Sequence, residues 1–139
     1  MNNKKTERVS SGSVWEDKVG YSRAIKCGNI IEVSGTIAID ENGKVVGKND
    51  PYEQTKYIIK KAKKAIKELG GTLSDVTRTR MFTTDISKWE EIGRAHGEFF
   101  KKTKPATTMV EVSKLIIPET VIEIEFTANL PAPDSSLQV

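Results

Sequence analysis

The spacing of hydrophobic positions along this chain alternates between a period of two and a helical period of about 3.6, and each change marks an element. Residues 23–26 (RAIK) and 29–39 (NIIEVSGTIAI) are short runs rich in Ile and Val. The turn-forming Cys27-Gly28-Asn29 separates them, so they predict consecutive antiparallel strands. Asn42-Gly43 predicts a type I′ hairpin, because both residues tolerate positive φ. Asp50-Pro51-Tyr52-Glu53 predicts a helix start: Asp50 caps, Pro51 fills the first helical position and Glu53 completes a capping box. Ile58, Ile59, Ala62, Ala65, Ile66 and Leu69 then form one apolar face, and Gly70-Gly71 ends the helix. Lys56, Lys60, Lys61, Lys63, Lys64 and Lys67 fall mainly elsewhere and predict a solvated face.

Residues 76–84 (VTRTRMFTT) alternate as a strand does, and Ser87-Lys88-Trp89-Glu90 predicts a second capping box. The helix it opens runs to about Lys102, with Trp89, Ile92, His96, Phe99 and Phe100 near one face. Two strands follow, at residues 108–115 and 120–130. Alternation in the last assigns Ile122, Ile124, Phe126 and Ala128 to the core and Glu123, Glu125, Thr127 and Asn129 to the opposite face. The same reasoning puts Val110 and Val112 inward and Met109 and Glu111 on a helix-free face. The pattern describes an α+β domain with helices on one side of a mixed sheet, whose other side suits oligomerisation. Residues 1–12 and 131–139 are polar and predict flexible tails around a single domain at 13–130.

Composition narrows the chemistry. A chain of 139 residues is long enough for one core without staples. Cys27 is the only cysteine and His96 the only histidine, which excludes an intramolecular disulfide and argues against a structural zinc site. The balance of 22 basic and 19 acidic side chains is too even to point to nucleic acid. Residues 1–13 have no apolar leader core and no stretch reaches the roughly 20 apolar residues of a membrane span, so the expectation is a cytoplasmic protein without membrane contact.

Several stretches stand in a telling order: GYSRA at 20–24, VSGTIAID at 33–40, the helix ending in GG, the strand leading to TTD at Asp85, GRAHGEFF, KPATTMVEV and VIEIEFTA. Together, from Trp15 to Leu130, they resemble the Rid (YjgF-like, reactive intermediate deaminase) family. The resemblance implies a chorismate-mutase-like fold: a six-stranded mixed sheet with two helices on one face, in a homotrimeric barrel with small-molecule clefts between subunits. It implies hydrolysis of reactive enamines or imines to 2-keto acids and ammonia, without cofactor or metal. Carried over residue by residue, it makes Tyr21, Trp15 and Ser34-Gly35 cleft residues and gives Glu123 the task of placing the attacking water. Met109 stands where a backbone carbonyl holds the same water. The family's carboxylate-binding arginine is replaced by Thr107, which can donate one hydrogen bond but no charge.

Arg23, two residues beyond Tyr21 on an extended segment, is the candidate replacement cation for an anionic ligand. The competing reading is an arginine snorkelling at an interface or paired with Glu123 or Glu125. Arg78 and Arg80 read as structural ion pairs, His96 as a helix–sheet packing residue with one nitrogen bonded to backbone, and Cys27 as an incidental thiol. Three functions stay open: an enamine or imine deaminase using Glu123 and Arg23, a non-catalytic metabolite-binding or interaction trimer, and an endoribonuclease or translation inhibitor.

Overall fold

The computed structural model describes residues 5–132. Its elements, in chain order, are β1 (Thr6–Val9), α1 (Val14–Val19), β2 (Ala24–Cys27), β3 (Ile30–Thr36), α2 (Pro51–Glu68), β4 (Val76–Thr83), α3 (Trp89–Phe100), β5 (Ala106–Glu111) and β6 (Ile122–Asn129). Six strands form one sheet in the order β1-β2-β3-β6-β4-β5. Every pairing is antiparallel except β4 with β5, so the sheet is mixed as expected.

Helix α2 begins and ends where its sequence dictates. The Asp50 side chain accepts from the Glu53 amide, Pro51 sits in the first turn, and Gly70 takes the positive φ that follows the last turn. Its stripe from Ile58 to Ile66 is buried against β3 and β6, where Ile31, Val33, Ile122, Ile124 and Phe126 are each at most 3% exposed. Helix α3 packs beside α2, and its Phe100 ring lies 6.5 Å from that of Phe126. Gln54, fully buried, donates to the Gly47 and Glu119 carbonyls and accepts from the Val121 amide. It thereby ties two loops together at the entrance to β6.

Five features differ from the sequence reading. Thr6–Val9, inside the segment expected to be a tail, is an edge strand paired with β2; four residues with one aliphatic side chain give no legible alternation. Residues 1–4 and 133–139 of the expected tails lie outside the described residues. A third helix, α1, is capped by Ser13 and closed by Gly20 at φ 90°. At Asn42-Gly43 only Gly43 has positive φ, and the expected hairpin reduces to a single bridge between Ile39 and Val45. Asp85, not Ser87, caps the turn that leads into α3, its carboxylate accepting from the Ser87 amide.

The fifth difference concerns the phase of β5. Met109 lies opposite Met81, and Thr107 opposite Thr79, both of which face the helices with Ile124 and Phe126. Met109 and Glu111 are therefore on the helix-covered side, and Val110, 41% exposed, joins the open face. The alternating residues of this edge strand include apolar members on both sides, so period two fixes the pattern without fixing its direction. The helix-free face carries Arg78, Arg80 and Phe82 from β4 beside Glu123, Glu125 and Thr127 from β6.

Candidate functional site

A bulge shapes the centre of the molecule. The pairing of β3 with β6 shifts register between Val33 and Thr36, at Ser34-Gly35, and this opens the strand beside Glu123. Glycine at position 35 leaves room for the carboxylate where it stands: a Cβ there would lie 2.1 Å from Glu123 Oε2. Ser34 is locked by its hydroxyl donating to the Ser22 carbonyl at 2.7 Å, and Arg23 donates from Nη2 to the Gly35 carbonyl at 3.2 Å.

These residues border a cavity of about 1070 Å³. Tyr21, Arg23, Ser34, Gly35, Trp15 and Glu123, all expected from the sequence, line it together. Thr107 and Met109 do not. They lie two strands beyond β6, on the outer strand of the sheet, where Thr107 shares a hydrogen bond with Thr79 and donates to the Pro105 carbonyl. A smaller depression of about 290 Å³ reaches Glu123 from the helix-free face, between Phe82, Lys114 and Glu125.

Glu123 is half-buried, and burial together with the charge of Glu125 pushes its carboxyl pKa up while Arg23 pulls it down. Arg23 is 6% exposed, with the Tyr21 ring 5.5 Å from its guanidinium carbon. It is neither snorkelling nor in an ion pair among the described residues, and its buried Nε has no acceptor.

No motif singles out Glu16, the acid that holds the cavity rim. Only 5% exposed, it accepts from the Ser10 hydroxyl and from both the amide and the hydroxyl of Ser11. Burial would raise its pKa, but those hydrogen bonds and Arg23 outweigh it and hold the carboxyl below its ordinary value. Glu16 thus fixes α1, and with it Trp15, over the cavity.

Four other sequence candidates do not line the cavity. His96 does pack between α3 and the sheet, 4.6 Å from the Phe100 ring, but its Nε2 meets the Thr79 hydroxyl at 2.9 Å rather than a backbone group. Burial pushes its pKa down to about 4, so the ring is neutral near pH 7 and turned away from the cavity. Arg78 donates to the Thr108 hydroxyl, and neither it nor Arg80 makes the expected ion pair among the described residues. Cys27 is a free, exposed thiol at the hairpin turn. Among the described residues no three His, Cys, Asp or Glu side chains converge as a metal site would require, and no helix is long and apolar enough to cross a membrane.

Comparison with known proteins identifies the family. The family model described as Endoribonuclease L-PSP matches residues 15–130. A RutC family protein of Pyrococcus abyssi is 42% identical over 68% of this chain and 75% of its own length. The 3-aminoacrylate deaminase RutC of Acinetobacter baylyi is 34% identical over 79% of this chain and 86% of its own. The crystal structure of Rv2704 from Mycobacterium tuberculosis, described as a member of the YjgF/YER057c/UK114 family, superposes with a TM-score of 0.83 at 40% identity, covering 91% of this chain and all of that one. The chain belongs to the Endoribonuclease L-PSP family, the YjgF-like or Rid proteins, and it carries threonine at position 107.

Proposed function

We propose that this protein hydrolyses small, reactive enamines or imines that carry an acidic group, releasing ammonia and a carbonyl product. One observation carries the reading: Arg23, paired with no carboxylate among the described residues, lines the same cavity as the half-buried carboxyl of Glu123. A guanidinium bordering a cavity without a carboxylate partner is suited to hold an anionic ligand there. Glu123, with its pKa raised, is suited to hold a water molecule and accept its proton as that water attacks the imine carbon. The substrate is already electrophilic, so orientation and one proton acceptor are sufficient chemistry. The deaminase name of the Acinetobacter relative supports the same reaction class.

The proposal extends to assembly. In a homotrimer of chorismate-mutase type, the open sheet faces would meet, and Thr107 and Met109 would enter the cleft from a neighbouring subunit, the latter through its backbone carbonyl. The reading includes a cytoplasmic setting and neither cofactor nor metal. A ribonuclease reading has in its favour the family's description and the rim formed by Lys60, Lys61 and Lys64. A trimer that binds a metabolite without turning it over is the third reading.

The experiment generates imines in situ and follows ammonia release from substrates with and without a carboxylate, with an RNA cleavage assay in parallel. Much greater acceleration of carboxylate-bearing imines than of those lacking the carboxylate is expected. RNA cleavage without ammonia release would overturn the reading in favour of the nuclease, and no activity in either arm would leave a binding protein.

A further inference from the structure

Lys61 was expected on the solvated face of α2, yet it lines the cavity. Helical geometry explains why: it lies three residues after Ile58 and four before Ala65, at the border of the buried stripe. The chain from Ile39 to Gly43 runs alongside, and Lys61 Nζ donates to the Ile39 carbonyl at 3.2 Å. Lys60 and Lys64, also on the rim, are exposed, whereas Lys61 is half-buried.

Its surroundings are unusual for a lysine. Among the described residues no carboxylate comes within ion-pair distance of it. The charged groups that act on it are Arg23, which opposes its protonation, and Glu16 and Asp40, which favour it. Glu16 is already engaged by Ser10 and Ser11, and Asp40 by the Asn42 and Lys44 amides. Burial first, and Arg23 second, push the amine's pKa down. Each unit of such a fall raises the neutral fraction near pH 7 about ten-fold. A half-buried amine beside a second cation is the arrangement that turns a lysine into a nucleophile towards carbonyl carbon.

We propose that Lys61 is a catalytic amine that captures the imine or carbonyl carbon of an acidic substrate held by Arg23; this rests on the anionic-imine reading above. The Nζ lone pair adds to the carbon of the protonated imine, and a proton passes from Nζ to the departing nitrogen. The bond to that nitrogen breaks, ammonia leaves, and a Schiff base to Lys61 remains. Water held by Glu123 adds to the same carbon as Glu123 takes its proton. Glu123 returns that proton to Nζ, the carbon–Nζ bond breaks as the carbonyl forms, and the hydroxyl proton passes by way of Glu123 to solvent, where it matches the proton that ammonia takes up. No oxidant or reductant is consumed. A 2-keto acid entering from the product side forms the same Schiff base with loss of water, so the site takes 2-keto acids as well as 2-imino acids.

Trapping tests this directly. The full chain is incubated with pyruvate and cyanoborohydride, and modified lysines are located by peptide mass mapping in the wild type, Lys61→Arg, Lys61→Met and, as a control on the exposed face of α2 away from the cavity, Lys67→Arg. The expected result is one adduct per chain at Lys61, absent from both Lys61 variants, unchanged in Lys67→Arg and much weaker with acetone, which lacks the carboxylate. Adducts spread over exposed lysines, or none at all, would overturn the proposal. Full ammonia release by folded Lys61→Arg would overturn it while leaving the deaminase reading intact. Trapping at Lys61 without any ammonia release from imines would sustain the amine and overturn the deaminase reading.

Discussion

Replacing Gly35 by alanine separates the site from the fold more cleanly than any change to a charged residue. A Cβ there would lie 2.1 Å from Glu123 Oε2, 3.1 Å from its Cδ and 3.4 Å from its Cγ. The carboxylate must retreat by about 1 Å merely to reach the 3.0 Å that real Cβ contacts respect. Gly35 is not in the left-handed region, so alanine adds no backbone strain, and the group that yields is the end of a flexible side chain. The stability cost should be about 1 kcal/mol, the lower end for overpacking, or a fall in Tm of about 4 °C. Catalysis should suffer more, because misplacing a catalytic group by about 1 Å can cost about 10²-fold in rate. Ammonia release from imines generated in situ, with thermal unfolding of the same samples, gives both numbers. Gly35→Ala with wild-type turnover and unchanged Tm would refute the reasoning, because Glu123 would then not need the position it occupies.

Arg23→Lys keeps the charge but loses the fork, so kcat/KM for a carboxylate-bearing imine should fall about 10²-fold while a substrate lacking the carboxylate is unaffected; equal losses on both would rule out anion recognition. His96 has a folded-state pKa of about 4, below its ordinary 6.5, so the unfolded chain binds the extra proton and stability should fall as pH drops from 6.5 to 4. The upper bound is about 3 kcal/mol and its remaining solvent access reduces this to about 1–2 kcal/mol; His96→Gln should flatten that part of a Tm-against-pH curve. Phe126, 1% exposed and set against Phe100, should cost about 3–5 kcal/mol as alanine in denaturant unfolding, and a loss under 1 kcal/mol would contradict its place in the core.

The central elements were legible because their signals are local. Asp50-Pro51 and Gly70 frame α2, and the alternation from Ile122 to Ala128 states which side of β6 is buried. From that alternation the outward position of Glu123 followed, and Tyr21 and Arg23 proved to share its cavity. What escaped depends on tertiary partners. Thr6–Val9 becomes a strand only because β2 offers it an edge, and Met109 faces the helices only because Met81 does. Glu16 and Lys61 carry no motif. Glu16 is buried because two serines before α1 fold back onto it, and Lys61 because the chain after β3 passes beside α2. Thr107 was identified by comparison with the family pattern, but one chain alone leaves it outside the cavity, bonded to Thr79.

Glu123→Gln tests the central claim most directly. The substitution keeps the size of the side chain, removes the proton acceptor and relieves a carboxylate whose ionisation burial opposes, so the variant should fold at least as stably as wild type near neutral pH. Ammonia and keto-acid release from freshly generated, carboxylate-bearing imines should be faster than in buffer for wild type and at the buffer rate for Glu123→Gln. A folded Glu123→Gln protein that matches wild type, or a wild type no faster than buffer, would contradict the account.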